Sequence, residues 1–371
     1  MIYFQIILIL IAPLLFSKLQ QKWPWMKSIV LAYLIGVLVG NIWPQFFMSE
    51  VLKEATGISI ILAIPLMLFP SRVKEWISQP KTLLLSYGLA IIATTISVFL
   101  GWFLFKESLP DIPIISGMVE GVYTGGTVNL NAIGLAFEAP NSLSVLLNSY
   151  DMAFSAIYLL AIFSFLPKIL GWVLKKPDKN YYDNSVVDSD TFKDSNQKQK
   201  LLSLAKGFGI AILVLLITIG ISFILTGEMN ELVMVFGVSL LALLVSFIPN
   251  VRKLKGNMVS ADYLMMIFGF CLGAQANVRD LMSEQGGLMN YFLFTYLCML
   301  IIHLLLARIM KIDVDTFLVS STAAVFGPPF IGPVAESLKN RSLIGPGIVV
   351  ALMGNAIGTY LGIIMVQILS S

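Results

Sequence analysis

Asn148, Asp151, Ser155 and Tyr158 stand three, four and three residues apart, so a helix would carry an amide, a carboxyl and two hydroxyls along one face. Such a face suits two kinds of chemistry. Its oxygens are hard ligands for a small cation, and its carboxyl can alternate between protonated and ionised states. The surrounding run, about residues 142–167, is otherwise apolar. That sets the acid in a membrane helix, at a cost of roughly 2.5–3.5 kcal/mol near the helix centre. A carboxylate at that depth is neutralised by a proton, a bound cation or a partner. No Lys, Arg or His stands within one turn on its face. These four residues are the expected ion-coupling set, for Na+ or H+, against the plainer alternative of an acid bonded to a neighbouring helix.

The second source of ligand atoms is Gly121-Val-Tyr-Thr-Gly-Gly-Thr-Val-Asn-Leu-Asn-Ala-Ile-Gly134, full of glycines, hydroxyls and amides inside an apolar region. In hydrocarbon, non-helical backbone survives only when buried in protein or lining a wet cavity. Thr124, Gly125, Gly126, Thr127, Asn129 and Asn131 supply N–H groups and neutral dipoles, and glycine lets a ligand approach the backbone closely. A corresponding interruption, Ser320-Ser-Thr-Ala-Ala-Val-Phe-Gly-Pro-Pro-Phe-Ile-Gly-Pro333, lies in the second half. Its prolines remove amide donors, which Ser320, Ser321 and Thr322 could replace beside Gly327. Asn355, one turn from Thr359 on the last run, completes the substrate-binding candidates. Paired Gly/Pro-interrupted segments in corresponding positions point to a transporter's binding site. The competing reading is close helix packing by glycine, which accounts fully for Gly354, Gly358 and Gly362 at every fourth position.

The elements that position these residues follow from composition. The chain has 371 residues, 57% hydrophobic and 12% charged, where a soluble protein carries about 25% charge. This is an all-α polytopic membrane protein. Its net charge of +3 gives no reason to invoke nucleic acid. Two cysteines, Cys271 and Cys298, both in apolar runs, offer neither a disulfide framework nor a zinc site. No cofactor is expected beyond Na+ as a coupling ion. The opening run, lacking a charged start and a small-residue cleavage pattern, is read as a helix and not a signal peptide.

Apolar runs of spanning length fall at about 2–17, 25–43, 55–70, 82–105, 142–167, 203–226, 231–249, 260–277, 288–309 and 342–369. The interrupted elements fall at about 112–137 and 315–338. The expected plan is a first repeat over 1–174 with helices 1–5, a cytoplasmic connector over 175–200, and a second repeat over 201–371 with helices 6–10. Lys and Arg placement sets the orientation. Lys18, Lys22, Lys27, Arg72, Lys74, Lys81, Arg252, Lys253, Lys255, Arg308 and Lys311 all fall inside, with the Lys-rich connector, only if each half crosses five times. The halves are then inverted and the interrupted elements are re-entrant hairpins. Full crossings are the alternative. Phe69–Trp76 and Ala274–Leu281 share a Val, a cation and an acid at the end of an apolar run, a faint internal similarity.

Other polar residues read more plainly. His303, the single histidine, stands in an apolar run and is expected to be a hydrogen-bonded packing residue. Gln275 and Asn277 read as a polar helix end. Glu120 before the first interruption and Glu336 after the second could each face water, with a functional role the lesser reading for both.

At Thr124-Gly-Gly-Thr-Val-Asn129, Tyr150-Asp151, Gly327-Pro328 and Pro346-Gly-Ile-Val-Val-Ala-Leu-Met-Gly-Asn-Ala-Ile-Gly-Thr-Tyr-Leu-Gly362, the chain resembles the YjcL-like family of uncharacterised integral membrane proteins. That family looks related to the superfamily of cation/proton antiporters, bile-acid-type symporters and citrate-type anion carriers. The resemblance implies inverted repeats, a mobile core domain, a homodimer, and broken elements that hold solute and ion. The chain departs from the superfamily at Phe326 and Pro329, where glycine and a hydroxyl residue are expected.

The resulting expectation is a secondary active transporter of the bacterial cytoplasmic (inner) membrane, moving a small polar or anionic organic solute. Its partners would be that solute, the bilayer and a second copy. A cation/proton antiporter without organic substrate is the alternative of the same class. No G-x-x-x-x-G-K-[ST] occurs to bind a nucleotide. A membrane enzyme of cell-wall or lipid metabolism would need paired acids, a histidine base or a metal cluster; the sequence has one histidine and no such cluster.

Overall fold

The computed structural model describes residues 2–22, 28–43, 45–70, 80–109, 111–177, 197–229, 231–275 and 286–371. Most of the connector, with Arg72, Lys74 and Asn277, lies outside them. The described elements are helices: α1 Ile2–Lys22, α2 Ser28–Ile42, α3 Ser49–Leu68, α4 Pro80–Phe105, α5 Ile112–Gly125, α6 Thr127–Ala136, α7 Asn141–Phe163, α8 Leu166–Leu170, α9 Gln197–Thr226, α10 Glu231–Ser246, α11 Pro249–Arg252, α12 Asn257–Gln275, α13 Gly286–Ile309, α14 Val314–Phe326, α15 Ile331–Ser337 and α16 Ile344–Ser370. Short 3-10 turns occupy Pro328–Phe330 and Arg341–Leu343. No strand occurs among the described residues, only an isolated bridge between Lys175 and Asp313.

Among the described residues, seven helices are long and apolar enough to cross a membrane, namely α1, α3, α4, α7, α9, α13 and α16. Shorter apolar stretches run over Leu31–Ile42, Gly237–Ser246, Val259–Gln275 and Val314–Phe326. Every apolar run read from the sequence holds a helix. The third starts earlier than its apolar stretch, at Ser49, because Glu50, Lys53 and Glu54 stay exposed on its first turns. Pro65 sits inside that helix.

The chain forms two compact units, and each draws on both halves of the sequence. Unit 1 comprises Met1–Ser78, Asp178–Asn277 and Ala335–Gly345; unit 2 comprises Gln79–Pro177, Val278–Val334 and Pro346–Ser371. In unit 1, α12 packs on α2 and α3. Glycine sets that distance: a Cβ on Gly36 would lie 3.0 Å from Ala274 N, and one on Gly273 would lie 3.0 Å from Val37 N. The interior is filled by Phe16, Tyr33, Leu66, Met67 and Phe268. Gln275, the last residue of α12, donates to Thr56 Oγ1 at 2.8 Å, as a polar helix end should. Glu336 pairs with Arg341 at 2.6 Å within Ala335–Gly345.

In unit 2, α4 packs against α5, α13 and α14. Asp313 caps α14, its Oδ1 accepting from Thr316 N at 3.0 Å, and Lys175 O accepts from Val314 N at 3.1 Å. His303 is buried with Nε2 3.0 Å from Ser86 O and its ring 4.5 Å from that of Phe317, a packing histidine.

Candidate functional site

Two helix ends meet inside unit 2. α5 stops at Gly125 and α6 begins at Thr127; the intervening Gly126 has φ 100° and ψ −179°. α14 stops at Phe326, and Gly327 has φ 75° and ψ −168° before the Pro328–Phe330 turn. That region of backbone space is essentially closed to side-chain-bearing residues, so glycine is what permits both turns. They face each other: a Cβ built on Gly126 would lie 3.8 Å from Phe326 O, and one on Gly327 would lie 3.4 Å from Gly125 O.

The backbone at the first break is largely satisfied. Gly126 N–H donates to Val122 O at 2.8 Å. Tyr87 OH donates to Thr124 O, and Thr94 Oγ1 donates to Tyr123 O at 3.2 Å. Side chains from α4 thus cap the carbonyl end of α5, where a helix otherwise leaves acceptors free. Two buried side-chain oxygens beside the break have no partner among the described residues, Thr124 Oγ1 and Asn355 Oδ1. Asn355 Oδ1 lies 3.8 Å from the Cβ position of Gly327. A buried polar atom without a partner calls for a ligand or a water molecule.

The acid-bearing face runs into this meeting point. α6 and α7 are joined by a short turn and pair antiparallel, so residues four apart on α6 face residues three apart on α7. Asn148 Nδ2 donates to Asn131 Oδ1 at 2.8 Å, and Asp151 lies beside Thr127, the first residue of α6. Ser155 Oγ donates to Asp151 Oδ1, at 3.1 Å. One turn further, Tyr158 OH shares a 2.8 Å hydrogen bond with Ser321 Oγ. The Tyr158 ring lies parallel to that of Phe326, 6.1 Å away. Thr127 and Asn131 are exposed, whereas Asp151, Ser155 and Tyr158 are buried. The face therefore leads from an open end inward. The oxygens able to hold a small cation are those of Asp151, Ser155 and Thr127.

Other candidates sit apart from that face. Asn129 is buried and braces α5 to α16: its Oδ1 accepts from Thr359 Oγ1 at 2.8 Å, and its Nδ2 reaches Gly121 O and Gly354 O at 3.4 and 3.5 Å. Gly125 packs on α16, where its Cβ would lie 2.5 Å from Asn355 N. Thr322 Oγ1 bonds back to Leu318 O at 2.6 Å, and Ser320 Oγ pairs with Ser86 Oγ at 2.7 Å.

The sequence comparisons bear on this arrangement as a whole. The model of the family described as "Protein of unknown function (DUF819)" matches residues 5–371. The chain belongs to that family. This DUF819 member is also similar to the uncharacterized membrane protein YjcL of Bacillus subtilis (strain 168), at 24% identity over 368 residues, covering 94% of this chain and 91% of the relative. The relative's description as a membrane protein agrees with the seven apolar helices in making the DUF819 chain a multi-pass membrane protein.

Three features of the site escape a reading of the sequence. The α4 residues Tyr87, Thr94 and Thr95 look like ordinary helix content. Tyr291 and Tyr296 of α13 are buried beside α5 and α7, Tyr296 with its ring 5.2 Å from that of Tyr123. The third feature did leave a signal. Gly117, Gly121 and Gly125 repeat every fourth residue and oppose Gly362, Gly358 and Gly354; a Cβ on Gly117 would lie 2.6 Å from Gly362 O.

Proposed function

We propose that this protein is a secondary active transporter of the bacterial cytoplasmic membrane, moving a small polar or anionic organic solute coupled to Na+ or H+. The observation that carries the reading is the meeting of Gly126 and Gly327 beside the partnerless Thr124 Oγ1 and Asn355 Oδ1. Asp151 of α7 lies against the first turn of α6 next to it. Solute would bind at the paired breaks, and the ion at Asp151, Ser155 and Thr127. Alternating access follows if unit 2 moves as the mobile core. Inverted halves, re-entrant interrupted elements and a homodimer complete the proposal.

Counterflow in proteoliposomes tests it. Vesicles loaded with one of a panel of small organic acids, amino acids and short peptides should take up the labelled compound against its gradient. No exchange with any compound, with and without Na+, by folded protein would sink the solute-carrier reading. The topology has its own test. Labelling from outside should reach Thr226→Cys, at the end of α9, and miss Ser185→Cys in the connector.

A cation/proton antiporter without organic substrate is the second reading, and one observation favours it. Glu120, at 1% exposure, is a further buried carboxyl in unit 2 besides Asp151 and Asp315.

A further inference from the structure

Glu120 belongs to no part of the ion-binding face, yet it is buried one turn before Thr124 on α5. Its Oε1 accepts a 2.8 Å hydrogen bond from Thr95 Oγ1, and its Oε2 has no partner among the described residues. The helices around α5 bring it no cation. α4 meets it with Thr95, and α13 brings Tyr291, whose hydroxyl shares a 2.8 Å hydrogen bond with Ser116. The polar residue of α6 facing this region, Asn129, is engaged by Thr359 of α16. The α14 hydroxyls bond elsewhere, Ser320 to Ser86 and Ser321 to Tyr158. His303 stands twelve residues beyond Tyr291 on α13, about 18 Å along a helix.

We propose that Glu120 is a proton-binding site in unit 2, separate from Asp151. The ligand is a proton and not a metal cation, because the carboxyl's one hydrogen-bond partner among the described residues is Thr95 Oγ1, and no cluster of His, Cys, Asp or Glu able to hold a metal ion occurs among those residues. A bare cation would need several oxygens. An ionised carboxylate with one neutral donor in a buried position is expensive. With the proton on Oε2, the neutral acid keeps Oε1 as acceptor for Thr95. Binding forms one O–H bond and release breaks it, with no other change. That this proton contributes to transport rests on the transporter reading; that Glu120 holds it does not.

Infrared difference spectroscopy of the purified protein in lipid vesicles, without any solute, tests the site. Glu120→Gln should remove one carbonyl band of a protonated carboxylic acid at neutral pH. In the wild type, that band should shift in D2O and disappear on alkaline titration, and it should persist in Asp151→Asn. Thr95→Val keeps the acid and removes its donor, so it should move the same band upward; this arm carries the assignment if Glu120→Gln does not fold. Loss of an ionised-carboxylate band in Glu120→Gln, at every pH reached, would overturn the proposal. So would a protonated band indifferent to pH and D2O, which marks a merely structural acid. If the band behaves as expected while counterflow fails, the transporter reading falls and the proton site stands. The reverse result removes Glu120 alone.

Discussion

Both units bring two helices to backbone contact through glycine, and they surround that contact differently. In unit 1, Gly36, Gly40 and Gly273 let α2 lie on α12, among Phe16, Tyr33 and Phe268. In unit 2, Gly117, Gly121 and Gly125 lie on Gly362, Gly358 and Gly354, and the ridge ends in the break at Gly126. Around it stand Thr124, Asn129, Asn355 and Thr359, with the acids Glu120 and Asp151 on the same helix and a neighbouring one. Glycine ridges are thus a packing device common to both units. The polar groups and the interrupted backbone set unit 2 apart, which is why the site is sought there.

The largest effect should come from filling a ridge. A side chain on Gly354 would run into Tyr87 OH and Thr124 O, and overpacking a close contact costs about 1–3 kcal/mol or more. Gly354→Leu should lose the monodisperse peak in detergent size-exclusion chromatography. Gly220→Leu, where nothing lies within 4 Å of the added Cβ, should keep it. Equal behaviour of the two variants would remove the close contact from the comparison.

Next comes the charge that only unit 2 carries at this point. Asp151→Asn preserves shape and the hydrogen bond from Ser155 while removing the ionisable group. Gradient-driven accumulation should fall to background in proteoliposomes, and downhill exchange of solute should survive. Full concentrative uptake with unchanged Na+ and pH dependence would make Asp151 a structural acid, and unit 2 would lose its main distinction.

The helices were legible because membrane burial leaves long apolar runs, and the acid-bearing face because α7 is regular. Asn148, Asp151, Ser155 and Tyr158 needed only helical spacing. What Gly125 does was not legible. Sequence shows a Gly125-Gly126 pair as one flexible tip, whereas Gly125 faces Gly354 and only Gly126 makes the turn. The two roles separate only once α5 and α16, more than two hundred residues apart, are brought together. Tyr87 and Thr94 are hidden likewise, since their hydroxyls complete carbonyls on a different helix, 37 and 29 residues away. A Gly125→Leu variant would therefore report on packing against α16 and not on solute approach.

Gly126 separates conformation from packing. A Cβ there has nothing nearer than 3.8 Å, so Gly126→Ala is penalised by its backbone angles alone, by about 1–3 kcal/mol. Thermal unfolding followed by tryptophan fluorescence should show a clear loss of stability with the protein still inserted. An unchanged midpoint would mean that the break relaxes to ordinary helix at little cost, and that the meeting with Gly327 is not fixed.

The smallest effect is expected where the acid-bearing face ends. Tyr158 OH and Ser321 Oγ share a 2.8 Å hydrogen bond joining α7 to α14. Tyr158→Phe removes it and keeps the ring parallel to Phe326. Ser321 Oγ would not be orphaned, because it also donates to Leu318 O at 3.0 Å. The cost should therefore stay near the net worth of one hydrogen bond, about 0.5–1.5 kcal/mol, read as a slight drop in the unfolding midpoint. Transport decides what the bond is for. If Tyr158 only fastens two helices of unit 2, uptake should change no more than stability does. If it closes the inner end of the ion path, the cation concentration giving half-maximal uptake should rise several-fold at nearly unchanged stability. A shift of that kind with Tyr158→Phe, absent with Thr359→Val on the ridge, would place the ion path along α7 and leave the glycine contact as support.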